Sequence, residues 1–182
     1  MQFTEQKIKG VWIIEPRVFK DDRGYFMESY KKELFEKHIG KIDFIQDNES
    51  RSTKGVLRGL HYQKGEYSQA KLVRALQGSV LDVIVDLRKS SATFGQHVAV
   101  ELSDTNKKQL FVPRGFAHGF LVLSETAIFS YKVDNIYSPT HEASLLWNDP
   151  KLEINWSIEN EELILSKKDM AANTLDKAIL FD

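Results

Sequence analysis

Apolar and polar positions alternate with a period of two over much of the centre of this chain, which is the pattern of strands that bury one face. It is clearest at 80–87, where Leu81, Val83, Val85 and Leu87 alternate with Asp82 and Asp86. Similar stretches predict strands at 70–76, 96–102, 109–112, 120–123 and 127–133. Turn signals separate them: Gln77-Gly78, Ser90-Ser91, Ser103 to Asn106, Pro113-Arg114-Gly115 and Ser124-Glu125. Upstream, 10–19 is β-rich with Pro16 marking an edge or break, 21–24 reads as a turn and 25–29 as a short strand. A helix is predicted at 30–39, capped by Ser29, with Leu34, Phe35 and His38 or Ile39 on one face and Gly40 ending it. Residues 152–182 read as loops with short helical pieces folded over the β-core. Many short strands with so little helix predict a sandwich or barrel.

One strand, 55–63, carries chemistry. Strict alternation sends Leu57, Gly59, His61 and Gln63 to one face, and Val56, Arg58, Leu60 and Tyr62 to the other. Gly59 lies between Arg58 and His61, where a bulge would turn both toward one cavity. On its own, such a histidine is a core residue beside a surface arginine.

Composition narrows the class. The chain has 182 residues, enough for one full-sized core, so a single domain over 1–182 is expected. At 42% apolar and 28% charged it has the composition of a soluble globular protein. A formal charge of −1, with basic and acidic residues interspersed, gives no footprint for nucleic acid. Cysteine is absent, which removes disulfide and thiolate chemistry. The N-terminus lacks the pattern of a signal peptide, and no apolar run approaches the roughly 20 residues that span a bilayer. The expected setting is the cytoplasm, with no membrane partner.

The segment Pro113-Arg114-Gly115-Phe116-Ala117-His118-Gly119 resembles the second characteristic motif of cupins, which are double-sheet jelly rolls. Metal-dependent cupins usually carry His-x-His in the first motif, and here it reads His61-Tyr62-Gln63. The missing imidazole implies a cupin without a metal. The resemblance becomes specific across the chain: Asp22-Arg23-Gly24 with Phe26 and Glu28, Gln46-Asp47-Asn48, 56–61, Lys71-Leu72-Val73, 85–88, Thr93-Phe94-Gly95, 113–120, Tyr131-Lys132, Tyr137-Ser138-Pro139, Trp147-Asn148-Asp149 and 166–169. In that order these motifs resemble the dTDP-4-dehydrorhamnose 3,5-epimerase family.

The resemblance implies an all-β cupin-type double-stranded β-helix, or jelly roll, with a few short helices, mainly near the C-terminus. It implies an isomerase acting on a dTDP-4-keto-6-deoxy sugar, whose C3 and C5 protons are both α to the C4 ketone. Inversion needs a base, an acid on the other face and a positive group near the carbonyl oxygen, but no metal, nicotinamide or other cofactor. By the same resemblance His61 is the base, Asp169 orients it, Tyr131 is the acid and Lys71 is the cation at the C4 oxygen. Histidine suits that task because its ordinary pKa, about 6.5, lies near working pH. Arg58 matches a phosphate ligand, since its planar fork fits diphosphate oxygens. His118 belongs near the sugar, or else in the core, satisfied by backbone. Arg23, Phe26, Glu28, Gln46 and Asn48 match thymidine contacts made across a homodimer interface, and Glu142 and Lys168 match further ligand positions. His38, His97 and His141 are assigned to the surface.

Two positions depart from the family's pattern. Asn173 stands where the family usually has proline, and could loosen the segment that holds Asp169. Arg114 stands where glutamate is common, adding positive charge near the cavity mouth. The alternatives are an epimerase of C3 alone or C5 alone, a 3,4-ketoisomerase, a metal-dependent oxygenase, or a non-catalytic nucleotide-sugar-binding cupin. The last predicts loss of at least one of His61, Lys71, Tyr131 and Asp169, and all four are present.

Overall fold

The computed structural model describes residues 1–157 and 163–182. Its strands are β1 (Gln2–Glu5), β2 (Trp12–Glu15), β3 (Val18–Asp21), β4 (Gly24–Met27), β5 (Gln46–Thr53), β6 (Leu57–Gln63), β7 (Lys71–Gln77), β8 (Ser79–Asp86), β9 (His97–Ser103), β10 (Gln109–Val112), β11 (Phe116–Val122), β12 (Thr126–Val133) and β13 (Glu142–Ser144). Helix α1 covers Lys32–His38 and α2 covers Lys167–Met170. Six strands form one sheet in the order β1-β2-β10-β7-β12-β5, five form a second in the order β13-β6-β11-β8-β9, and β3 and β4 form a separate ribbon. Among the described residues no helix is long and apolar enough to cross a membrane.

The two large sheets face each other, as a jelly roll requires. Val73, Leu110, Val112 and Phe129 from the six-stranded sheet meet Val80, Ile84, Leu102, Phe116 and Phe120 from the five-stranded one. Each sheet also has its outer face covered. Phe35 of α1, with Phe3, Trp12 and Tyr30, lies on Ile14, Leu72 and Phe111. Trp147, Leu152, Trp156 and the C-terminal residues Leu180 and Phe181 cover Leu57, Tyr62, Val83, Val85 and Leu121. A central strand is therefore buried on both sides, and β8 shows it: Asp82 and Asp86 are 0% exposed. The alternation at 80–87 does not divide core from solvent. It divides an outer apolar face from an inner face into which two aspartates are set.

Several predicted elements shift. The helix starts later than expected, with Lys31 as its N-cap and no side-chain bond there, while the Ser29 carbonyl accepts from Gln109 Nε2. Strand β5, Gln46-Asp47-Asn48-Glu49-Ser50-Arg51-Ser52-Thr53, is not predicted by hydropathy. It is polar because it is the sheet's edge, with β12 as its one partner.

The expected bulge is present. His118 pairs with His61 and Phe120 with Arg58, so β6 takes three steps where β11 takes two. The extra residue breaks strict alternation. Leu57, Leu60 and Tyr62 all enter the outer core, and Arg58 and His61 both line the cavity between the sheets. Gly59 permits this, with φ of +123° and no room for a side chain: a Cβ there would lie 2.5 Å from Gly119 Cα and 2.8 Å from the His118 carbonyl oxygen. Gly59→Ala is expected to destabilise the protein by about 2–4 kcal/mol, combining backbone strain with overpacking. Urea denaturation checks this; a loss under about 0.5 kcal/mol would mean the bulge does not require the close approach.

Candidate active site

A cavity of roughly 500 Å³ opens between the two sheets, with His61, Arg58 and His118 on one wall and Lys71, Phe129 and Tyr131 on the other. Its floor chemistry begins at β6. His61 Nε2 lies 2.5 Å from Asp169 Oδ1, across 108 residues of sequence. Asp169 is 3% exposed and sits in the single turn of α2. Ser166 caps that turn twice over, accepting from the Asp169 amide at 3.1 Å and donating its hydroxyl to Asp169 Oδ2 at 2.6 Å. Burial works to raise the Asp169 carboxyl, but the bonds from His61 and Ser166, with a further one from the Gly59 amide, hold it below the ordinary carboxylate range. It is a carboxylate, and a carboxylate only accepts. The proton in the pair therefore belongs to Nε2, leaving the lone pair on Nδ1, which has no partner among the described residues.

The opposite wall carries the other two groups. Tyr131 packs inward with Phe129, and Val133 on the same alternating face of β12 is buried. Lys71, at the start of β7, has its ammonium 6.0 Å from the Tyr131 ring centroid. It is not a solvated strand residue: burial pushes its ammonium down to about 8, against the charges of Asp82 and Glu142. Burial also pushes the Tyr131 phenol up, with Arg58 pulling against it, so the phenol keeps its proton at neutral pH. His118 is buried, stacks on Phe129 at 6.1 Å and binds Asp82 through Nε2, at 2.9 Å to Oδ2 and 3.1 Å to Oδ1. The backbone-satisfied core histidine is thus replaced by one held by a carboxylate, at the cavity wall.

Beside this cavity a hollow of roughly 270 Å³ shares His61, Lys71 and Tyr131, and adds Gln46, Asn48, Gln63, Tyr137 and Glu142. Gln46 Nε2 donates to Asn48 Oδ1 at 2.8 Å. Glu142 takes the Tyr137 hydroxyl at 3.0 Å and pairs with Lys168. Gln63, at the position of the absent second imidazole, spends its amide on the chain: Nε2 donates to the carbonyls of Tyr67 and Ile136, and Oε1 accepts from the Ser138 amide. Among the described residues no three His, Asp or Glu side chains gather as a metal site. At the other end Arg58 Nε donates to Ser52 Oγ at 3.1 Å, leaving the terminal nitrogens to the cavity.

Arg23, Phe26 and Glu28 line neither hollow of their own chain. Phe26 is 66% exposed on the ribbon, and Arg23 pairs with Asp21 at 2.6 Å. The departures from the family's pattern take different forms from those expected. Asn173 accepts the Leu146 amide at 2.7 Å and bridges to Leu145, so its backbone is tied down. Arg114 adds no free charge to the cavity, because its guanidinium pairs at 3.0 Å with Asp134, which in turn caps the Ala70 amide at 2.7 Å. His38 is at the surface, stacked on Phe3, whereas His97 and His141 are half-buried.

Sequence reading assigned no role to Ser166, Ser52 or Asp82, although 166–169 is among the matching motifs and Asp82 stands in the alternation of 80–87. For Ser166 the signal was there, in a serine three residues before an aspartate. For Asp82 it was an aspartate in a strand flanked by apolar runs on both faces. Nothing in the sequence marks Ser52, since only the fold brings it to Arg58.

Comparison with known proteins finds relatives along almost the whole chain. The family model described as dTDP-4-dehydrorhamnose 3,5-epimerase matches residues 5–177. A Salmonella typhimurium protein of that description is 56% identical over 174 residues, covering 95% of this chain and 94% of its own. A crystal structure of the enzyme from Elizabethkingia anophelis aligns with a TM-score of 0.93 at 54% identity, covering 97% of this chain and 98% of that one. A Legionella pneumophila dTDP-6-deoxy-D-glucose-3,5-epimerase in complex with dTDP-4-keto-L-rhamnose aligns with a TM-score of 0.93 at 47% identity, covering 97% of this chain and 93% of its own.

The support of Asp169 is testable apart from any activity. Ser166→Ala removes the cap and the hydroxyl bond, and is expected to cost about 1–2 kcal/mol in urea denaturation. Ser166→Thr, which retains the hydroxyl, should recover most of it; equal losses in both variants would contradict a role for the hydroxyl.

Proposed function

This chain belongs to the dTDP-4-dehydrorhamnose 3,5-epimerase family, and from that premise we propose the roles of its cavity residues. The enzyme inverts C3 and C5 of dTDP-4-dehydro-6-deoxy-D-glucose, giving dTDP-4-dehydro-L-rhamnose in dTDP-rhamnose biosynthesis. One observation carries the assignment of roles. The His61–Asp169 pair stands on one wall of the cavity and a protonated phenol, Tyr131, on the other, with Lys71 beside it.

His61 Nδ1 takes the proton from a carbon next to the C4 ketone, and Asp169 stabilises the imidazolium that results. The electron pair moves to the C4 oxygen as an enolate, where the Lys71 ammonium balances the charge. Tyr131 delivers a proton to the opposite face of the same carbon, which completes inversion; the phenolate then recovers a proton from solvent and the His61 imidazolium returns its own to solvent. Performed at C3 and at C5, the sequence is the whole reaction. Deprotonation next to a ketone transfers no electrons to a carrier, so the chemistry calls for no redox cofactor.

Arg58 is the proposed ligand of the diphosphate, supported by the orientation Ser52 gives its fork. His118 faces the sugar, and Gln46, Asn48, Glu142 and Lys168 surround the far end of the ligand. Arg23, Phe26 and Glu28 reach the thymidine of a second copy in a homodimer. Supporting this, the β3–β4 ribbon carries three exposed aromatics, Phe19, Tyr25 and Phe26, and the free edge of β5 runs beside the hollow that holds Gln46 and Asn48. The whole chain acts as one epimerase domain, and the cytoplasm is its proposed compartment, in keeping with a chain that has no cysteine.

Two measurements test this reading. In D2O, His61→Asn is expected to lose both deuterium exchange and epimerisation, followed by proton NMR at C3 and C5 separately. Tyr131→Phe keeps the base and Lys71, so exchange with retention continues while inversion falls roughly 10²–10⁴-fold. Parallel loss of both in Tyr131→Phe would remove it from the role of opposite-face acid. For the dimer, sedimentation at micromolar concentration is expected to show two chains; a monomer with full activity would overturn it.

A further inference from the structure

The cavity holds a second imidazole–carboxylate pair for which the reaction as described has no use. His118 and His61 are cross-strand partners on β11 and β6, and each is held through Nε2 by a buried aspartate. Asp82 is 0% exposed, and His118 is its sole side-chain hydrogen-bond partner among the described residues. A carboxylate without solvent or an arginine is costly to bury, and one imidazole is little compensation. The compensation comes from across the cavity. Lys71 extends from the other sheet into the same low-dielectric space, and Asp82 contributes the largest charge favouring its ammonium.

We propose that Asp82 is the positioning residue behind the catalytic cation: it keeps Lys71 charged, and it holds a neutral His118 on the wall of the cavity that Lys71 also lines. This rests on the assignment of Lys71 to the C4 oxygen.

The charged and titratable groups that share the two hollows with Lys71 are Glu49 on β5, Arg58, His61 and Tyr62 on β6, His118 on β11, Tyr131 on β12, Tyr137, Glu142 on β13 and Asp169 on α2. Asp82 of β8 is bonded behind His118. Glu142 is already committed to Lys168 and Tyr137. Tyr131 is neutral, and His61 has its own aspartate. Glu142 supports the Lys71 ammonium as well, but it is shared with Lys168, whereas Asp82 has no cation of its own among the described residues. Burial pushes the His118 imidazole down, and Lys71 and His61 push it further, so His118 stays neutral although Asp82 opposes the shift. With Nε2–H given to Asp82, His118 Nδ1 can only accept. Asp82 forms no salt bridge with Lys71 among the described residues, so its support does not draw the ammonium away from the substrate oxygen.

The sign of the effect follows. Activity needs the ammonium and falls as pH rises past the Lys71 value of about 8. Removing Asp82 removes an opposite charge and lowers that value, by about one unit for the loss of one such charge. At pH 7.5 the charged fraction then drops from roughly three quarters to roughly one quarter.

The test follows Lys71 directly by heteronuclear NMR in the unliganded protein, with and without Asp82→Asn, and measures kcat against pH. The expected result is a Lys71 titration near pH 8 that moves down by about one unit in the variant. The alkaline limb of kcat should move with it, while KM is little changed at pH 6.5. An unmoved Lys71 titration, or a kcat lowered equally at every pH with no shift of the limb, would overturn the proposal and leave Asp82 a structural residue. Should Asp82→Asn fail to fold, the His118 ring nitrogens of the parent decide: a proton on Nε2 with Nδ1 free supports the arrangement, and a proton on Nδ1 overturns it. The titration uses no substrate, so it judges Asp82 independently; a parent enzyme that exchanges no deuterium at C3 or C5 would instead defeat the assigned catalytic roles.

Discussion

The place where the backbones of Gly59 and Gly119 meet governs the rest of this molecule. A sheet of regular strands would have set Arg58 and His61 on opposite faces, one in the cavity and one in the outer core. One extra residue on β6 sends both into the cavity while Leu57, Leu60 and Tyr62 remain with the outer apolar layer. Two glycines are needed, because the strands approach so closely that neither carries a Cβ without collision. The same turn of the chain presents the Gly59 amide to Asp169, so the bulge also helps fix the partner of the base. A packing constraint thus becomes a catalytic one.

The second requirement is a place to keep charge. A sandwich with both outer faces covered has a dry interior, and polar groups there are stable only when each finds a partner. Among the described residues the Ser144 hydroxyl is buried without one, but the cavity's Asp169 and Arg58 find partners in a way that leaves acting atoms spare. Asp169 is satisfied by His61 and Ser166, and leaves Nδ1. Arg58 is oriented by Ser52 through Nε, and leaves its terminal nitrogens. Gln63 and Asp134 tie down the loops around the mouth rather than facing a ligand. The groups that act are those whose hydrogen bonds are incomplete.

Much of this could be read in the sequence, and what could not has physical reasons. Strands β7 to β12 were visible because alternating or continuous apolar runs bounded by turns leave little choice. The bulge was visible as a glycine between two chemical residues. Strand β5 was not, because an edge strand lining a polar site has the composition of a loop. The polar face of β8 was misleading for a related reason: alternation reports which side is apolar, and here the polar side is buried as well. The pairing of His61 with Asp169, 108 residues apart, came only from resemblance to a family, since no local pattern connects a strand to a four-residue helix. Ser166 and Asp82 act through another residue, and a sequence does not say which.

The same distinction explains why two histidine–aspartate pairs stand side by side without being interchangeable. They share a geometry, but differ in what faces them. Asp169 is braced by a hydroxyl and an amide, donors that settle its charge locally, so His61 is left to exchange protons with whatever lies in front of it. Asp82 has no such side-chain donors besides His118 among the described residues, and in the proposal its charge acts outward on Lys71. In the proposed roles one carboxylate serves the base and the other the cation, and both are buried. A reaction that creates an enolate needs both at once: a proton acceptor on one side of the carbon, and a positive charge that is still there when the electrons reach the oxygen.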